Sequence, residues 1–182
     1  YYVTGYMSSV RVVKGTAVYD PTLTTLTVPT APLTAVANTQ LLLNCTNAQI
    51  FDQTAKVVIE TVAGTKASTS QYKYGTGSIA YVSGGDYLSI NPTNLLEFGG
   101  GDFTIEFWWY PTATSRQGIY HGSFGADWSV GIDYSGVSTN QKIGIWASTN
   151  GTSWNLINSD SGGNGIGTTT VTQNAWNHIA YV

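Results

Sequence analysis

The sequence predicts an all-β fold, a two-sheet antiparallel β-sandwich, and three observations carry that prediction. Hydrophobic residues make up 42% of the chain and charged residues only 9%. Polarity therefore comes from Thr, Ser, Asn and Gly, the mixture expected of short strands joined by uncharged loops. No window sustains a helical period, because those same residues interrupt every candidate. About a dozen short runs of β-branched and aromatic residues instead follow one another, separated by turn residues.

Taken in order, the first run is "SVRVV", closed by Lys14-Gly15 and followed by Tyr19-Asp20-Pro21. It reads like the last strand of a domain although it stands near the start. "DPTLTTLTVPTAPLT" comes next, where Pro21, Pro29 and Pro32 exclude helix and central strand, so the stretch reads as an extended connector. The remaining runs are "LLLNCT", "AKVVIE", "GSIAYV", "DYLSI", "FTIEFWWY", "GIYHGS", "WSVGIDY", "KIGIWAS", "WNLINS", "TTTVT" and "WNHIAYV". Such a series suits a sandwich or a barrel.

Alternation assigns faces within these runs. In "FTIEFWWY", Phe103, Ile105, Phe107 and Trp109 share one face, and Thr104, Glu106, Trp108 and Tyr110 share the other. The adjacent Trp108 and Trp109 must therefore point apart, and one of them is free to meet another module or chain. Asn150-Gly151 between two alternating runs predicts a tight hairpin turn, and "WSVGIDY" ahead of it predicts three successive antiparallel strands.

Composition excludes several function classes. A chain of 182 residues and 19.4 kDa holds one domain with a real core, or one domain and part of another. A net charge of −3, a pI near 5.1 and 7 scattered basic residues leave no field for phosphates, so no nucleic-acid partner is expected. Cys45 is the single cysteine, which rules out an internal disulfide and reads as a small core residue. No apolar run approaches the roughly 20 residues of a membrane helix, so membrane insertion is not expected. The opening residues lack the pattern of a signal peptide, and the missing initiator Met suggests a mature product or an excerpt.

Catalytic chemistry finds little support, and no catalytic residue is assigned. A retaining glycoside hydrolase needs two carboxylates placed across one bond, yet the strand run "FTIEFWWY" offers only Glu106, and Glu60 and Glu97 stand alone. Neither Gly-x-Ser-x-Gly nor a Cys-His arrangement with a third partner is evident. His121 and His178 read as hydrogen-bonded structural residues, and "SGGNGIG" as a loop.

Three motifs in order, "KYGTGSIAYVSGGDYLSI", "FGGGDFTIEFWWYPTATSRQGIYHGS" and "NAWNHIAYV", resemble the laminin-G-like, concanavalin-A-like jelly roll. The resemblance covers residues 40 to 182. Members of that family usually close, after the last motif, with a strand like "GYISDVRI", and here the matching run "GYMSSVRVV" is at the front. Residues 1–30 are thus expected to be the closing strand and linker of a preceding module, with residues 31–182 a module that breaks off before its own end. The alternative is that the first strand completes the sandwich in cis, as in a circular permutation, or in trans in a neighbour. The wording of residues 5–36 is similar to tandem modules of large marine bacteriophage virion proteins.

The resemblance implies loop-borne sites and, as an optional ligand with no cofactor required, one calcium ion at the sandwich rim. Asp127 and Asp133 flank "WSVGI" and Asp160 lies in a Gly/Asn-rich loop, so these three are the candidate calcium ligands. For sugar binding, an aromatic ring beside Asn, Asp or backbone donors is the useful combination. Trp128 with Asp127, and Trp154 with Asn150 and Asn155, are the candidates. The expected function is a non-catalytic carbohydrate- or surface-binding module of a phage tail fibre or other repeat protein, exposed on a virion or outside a cell. Its expected partners are host-surface polysaccharide and neighbouring modules or copies of itself, as a homo-oligomer. The alternatives are a purely structural module acting through strand exchange and, less favoured, a glycoside hydrolase.

Overall fold

The computed structural model describes residues 2–91, 96–122, 129–135, 141–158 and 165–182. Thirteen strands and no α-helix occur among them: β1 (Gly5–Lys14), β2 (Thr39–Leu43), β3 (Ile59–Val62), β4 (Lys66–Ser68), β5 (Ser78–Tyr81), β6 (Tyr87–Ile90), β7 (Phe103–Pro111), β8 (Gln117–His121), β9 (Ser129–Ser135), β10 (Lys142–Ser148), β11 (Ile157–Asn158), β12 (Ile166–Thr170) and β13 (Asn177–Tyr181). One sheet runs β13-β7-β1-β5-β4, with β2 also beside β1. The other runs β11-β10-β9-β8, with β12 also beside β10, and β3 pairs with β6 in a small third sheet. All pairings are antiparallel, so the expected sandwich is the architecture found.

The core lies between the two large sheets. Met7, Val12, Ile79, Ile105, Phe107 and Trp109 from the first meet Ile132, Tyr134, Ile143 and Ile145 from the second. Trp109 and Tyr134 cross the gap edge to face, with ring centroids 5.2 Å apart. A buried aromatic side chain of this kind removes roughly 150–250 Å² from water, or about 4–6 kcal/mol of gross transfer free energy. Cys45 is buried with this cluster, and burial pushes its thiol up to about 12, which leaves it unreactive at neutral pH.

β1 sits in the middle of its sheet. One edge pairs with β7 over most of its length; the other is shared by β5 near Gly5–Met7 and β2 along Val10–Val13. Strict alternation would send Arg11 into the apolar core beside Met7 and turn Val12 outward. A bulge prevents this. Ser8 pairs with Trp108 but Arg11 pairs with Glu106, so Ser9 and Val10 together oppose Phe107, and Ser9 takes a left-handed φ of 50°. Parity flips, Val12 enters the core, and Arg11 emerges on the outer face opposite Glu106.

Residues 15–38 leave β1 and return beside their starting point, where the Lys14 amide donates to the Asn38 carbonyl at 3.3 Å. β1 and β2 are thus a hairpin with a long excursion. The expected extended connector is a flap lying on the outer face of the six-stranded sheet: the Val18 amide donates to Thr104 Oγ1, Leu33 is buried, and Tyr74 Oη donates to the Pro29 carbonyl. Its prolines keep it out of the ladder as expected; its Tyr and Leu side chains hold it down.

Two local expectations differ from what is found, and one strand has no sequence signal: β4, a short polar segment, lacks hydrophobic alternation. "AKVVIE" pairs only from Ile59 onward, and Val58 is exposed. The β10–β11 hairpin forms, but through a loop over residues 149–156 instead of a two-residue turn. Only Gly151 has positive φ, because Asn150 Oδ1 accepts from the amides of Thr152 and Ser153 and winds the chain into an Asx turn first.

Gly5 starts β1 with φ +121°, and a Cβ there would stand 2.1 Å from the Tyr110 carbonyl oxygen. Gly5→Ala is expected to lower the unfolding free energy by about 3 kcal/mol, read from the midpoint of urea unfolding. An unchanged midpoint would mean that β1 does not close on β7 as described.

Candidate functional site

The polar outer face of β7 carries the most concentrated chemistry among the described residues. Alternation along the strand brings Thr104, Glu106, Trp108 and Tyr110 to this side, and register brings β1 and β13 alongside. Glu106 is 0% exposed and serves three donors from three elements. Arg11 of β1 donates through Nε at 2.6 Å and places its second guanidinium nitrogen 2.5 Å from the same Oε1. Tyr19 Oη, from the flap, donates to Oε2 at 2.6 Å, and His178 Nε2 of β13 lies 3.3 Å from that oxygen. Arg11 also donates to the Thr34 carbonyl, so both halves of the flap are tied to one buried pair.

Electrostatics follow from this geometry. Burial alone would raise the Glu106 carboxyl, but the hydrogen bonds from His178 and Tyr19 and the adjacent Arg11 charge outweigh it and hold it below the usual carboxylate range. Burial, reinforced by the carboxylate it bonds, pushes the Tyr19 phenol upward. Buried and engaged on both oxygens, Glu106 cannot reach a glycosidic oxygen or an anomeric carbon. It acts as a clamp between flap and sheet.

Aromatic rings surround the clamp. Trp108 is packed against His178, edge-on to Tyr74, with Lys73 Nζ 4.2 Å above its ring. The outward Trp of the Trp108-Trp109 pair is therefore covered by this chain's own residues. Tyr6 of β1, Tyr110 of β7 and Trp176, just ahead of β13, form a half-buried row, with centroids 6.0 and 5.5 Å apart. Where the flap passes the end of β13, an open cleft of ≈ 410 Å³ remains, lined on its polar side by Asp20, Thr24, Thr25 and Thr27, with the rings of Tyr19 and Tyr181 and the apolar Pro21, Leu23, Leu26, Ala180 and Val182 completing it. Asp20 is fully exposed and held below the ordinary carboxylate range by the Thr22 hydroxyl and amide.

The sugar candidates chosen from sequence separate into two groups. Trp154, Asn150 and Asn155 share the loop after β10, with Trp154 half-buried. Both amides are engaged inside that loop, Asn150 as the turn acceptor and Asn155 in a reciprocal pair with Thr149. Trp128 and Asp127 lie outside the described residues. Of the candidate calcium ligands, Asp127 and Asp160 lie outside them too, and only the backbone of Asp133, paired between Gly118 and Gly144, is described. Among the described residues no three His, Cys, Asp or Glu side chains gather into a metal-binding group.

Sequence reading took His178 as a hydrogen-bonded structural residue, which matches its contact with Glu106. It did not connect Arg11 or Tyr19 to Glu106. The one available signal was a charged residue inside "SVRVV", which a buried strand tolerates only with a partner.

Glu106→Gln keeps the shape of the side chain and strands the Arg11 charge. The expected cost is about 3–5 kcal/mol at pH 7, measured by denaturant unfolding. Because the folded-state value is depressed, the clamp's contribution is complete above the unfolded carboxyl value of about 4.5 and drains away as pH falls through the lower folded value. Wild type should therefore lose more stability between pH 5 and 3 than the variant. Equal slopes would refute the clamp.

Residues 82–182, more than half of the chain, match the family model of the concanavalin A-like lectin/glucanases superfamily, laminin G type. No curated protein and no solved structure was found to match the chain.

Proposed function

The chain belongs to the concanavalin A-like lectin/glucanases superfamily, and from that premise we propose that it is a non-catalytic module recognising uncharged polysaccharide on a cell surface. The observation that carries this reading is the open cleft between flap and β13, where Thr24, Thr25, Thr27 and Asp20 supply hydrogen-bonding groups beside the rings of Tyr19 and Tyr181. Hydroxyls, one carboxylate and aromatic edges suit a polyhydroxylated neutral ligand. No Lys or Arg lines the cleft to favour an anionic one. The engagement of Glu106 supports a non-catalytic role, since the carboxylate inside β7 is spent on Arg11, Tyr19 and His178.

The finer placement, as one module of a phage tail fibre or similar virion appendage acting outside the cell, rests on the similarity of residues 5–36 to tandem modules of such proteins. A calcium ion at Asp127, Asp133 and Asp160 belongs to the same proposal. So does assignment of residues 1–30 to the closing strand and linker of a preceding module in the natural polypeptide, a strand that here packs into the middle of this module's sheet. A second reading, a structural module working through strand exchange, is favoured by one observation: the strand resembling the family's closing strand occupies the middle of the six-stranded sheet. Any neighbour lacking its own would have the same groove to fill.

Affinity electrophoresis of the whole chain through gels containing dextran, mannan or galactan tests the first reading. Retardation is expected with at least one polymer, with Thr25→Lys weakening it about tenfold by filling the cleft. Trp154→Ala, at the loop chosen from sequence, reports whether that loop contributes. Free migration in every gel, together with concentration-dependent association in sedimentation velocity, would replace recognition by the structural reading.

A further inference from the structure

We propose that Tyr2 and Tyr87 form a stacking subsite for a neutral pyranose ring, separate from the cleft beside β13; the proposal rests on the reading of the chain as a polysaccharide-recognition module. The two rings lie 6.2 Å apart and within 25° of parallel. They are 49% and 44% exposed, whereas the other paired aromatic rings among the described residues are buried or half-buried. A hydrophobic face left in water costs stability unless something covers it.

The platform is built, not incidental. Asp86, 0% exposed, accepts from the amides of Gly64 at 2.9 Å, Val82 at 2.7 Å and Ser83 at 3.0 Å, and from the Ser83 hydroxyl at 3.1 Å. Those bonds hold its carboxyl below the usual range and rigidify the turn immediately before Tyr87. Thr65 Oγ1 donates to the Tyr87 carbonyl from the other side. Tyr2 is followed by Val3, 4% exposed in the core, and by Thr4, whose amide donates to the buried Gln117 side chain at 2.5 Å. Each ring thus adjoins a buried, tethered neighbour, Val3 for Tyr2 and Asp86 for Tyr87, an anchorage that lowers the ordering cost of binding.

Chemistry selects the partner. The segments carrying the rings, residues 2–6 and 82–88, contain no Lys, Arg or Glu, and the one acid, Asp86, spends its charge inward; the charge that the paired strand brings to this face is the exposed Glu60, two residues from Val62, the cross-strand partner of Tyr87. Beside Tyr87, a Cβ at Gly84 or Gly85 would meet nothing within 4 Å, so the approach is open. Two half-exposed tyrosines offer on the order of 200 Å², far short of the roughly 800 Å² per partner of a stable protein interface. A small, flat, uncharged ligand face with hydroxyls at its rim fits this size and polarity, and a pyranose has both.

The test uses the whole chain and the polymers named above. Where wild type is retarded, Tyr2→Ala and Tyr87→Ala should each weaken binding about tenfold, while Tyr87→Trp retains it and the thermal midpoint of all three stays near wild type. Retardation unchanged in both alanine variants would overturn the subsite and leave the recognition reading standing on the cleft. No retardation of wild type in any gel would overturn both. Loss of self-association in Tyr87→Ala, with sugar binding intact, would assign the rings to a protein contact and overturn the subsite.

Discussion

The structure turns on the buried contact between Arg11 and Glu106. A guanidinium on a central strand and a carboxylate on the adjacent one are each intolerable alone in a dry setting. Their pairing requires both to stand on the outer face, and the sandwich core requires Met7 and Val12 on the inner face. Plain alternation cannot satisfy the two demands together. The bulge at Ser9 can, with a left-handed φ and the Ser9 hydroxyl donating to Asn44 Oδ1 at 2.8 Å. One extra residue thereby sets the register of β1 and the chemistry of the outer face, and provides the anchorage of the flap.

From that pair the flap acquires its position. Tyr19 reaches the carboxylate from one side of the excursion, and the Thr34 carbonyl takes the guanidinium from the other. A Pro/Thr-rich segment with no strand pairing of its own is thus made part of the domain, and the cleft at its edge exists because it is held at this height above β13. The same arrangement engages both oxygens of Glu106, and other polar and aromatic groups stand at surfaces the clamp leaves open.

Those surfaces share a physical style. Asp86 beneath the Tyr2–Tyr87 rings, Asp52 accepting from the amides of Leu42, Thr54 and Lys56, and Asn150 in the loop after β10 each direct side-chain oxygens at the backbone. In a chain with so few charges, polar side chains are largely spent on shaping turns. Among the described residues, hydroxyls, glycine backbone and tyrosine rings share the remaining surface with scattered charges such as Lys56, Glu60 and Lys66.

Much of the fold was legible in sequence because strand alternation is a local property. The opposite faces of "FTIEFWWY", the burial of Cys45 and the order of the strands followed from side-chain type and spacing. The short polar β4 and the Asx turn at Asn150 did not, since one lacks a hydrophobic signal and the other depends on a side chain competing for its own backbone. What only the tertiary structure decided is which distant groups meet. Arg11, Tyr19, Glu106 and His178 lie far apart along the chain, and no local pattern encodes that β1 lies beside β7, that a bulge turns Arg11 outward, or that the flap folds back. Those outcomes are set by the cost of an unpaired buried charge, which is settled only when the whole sheet has formed.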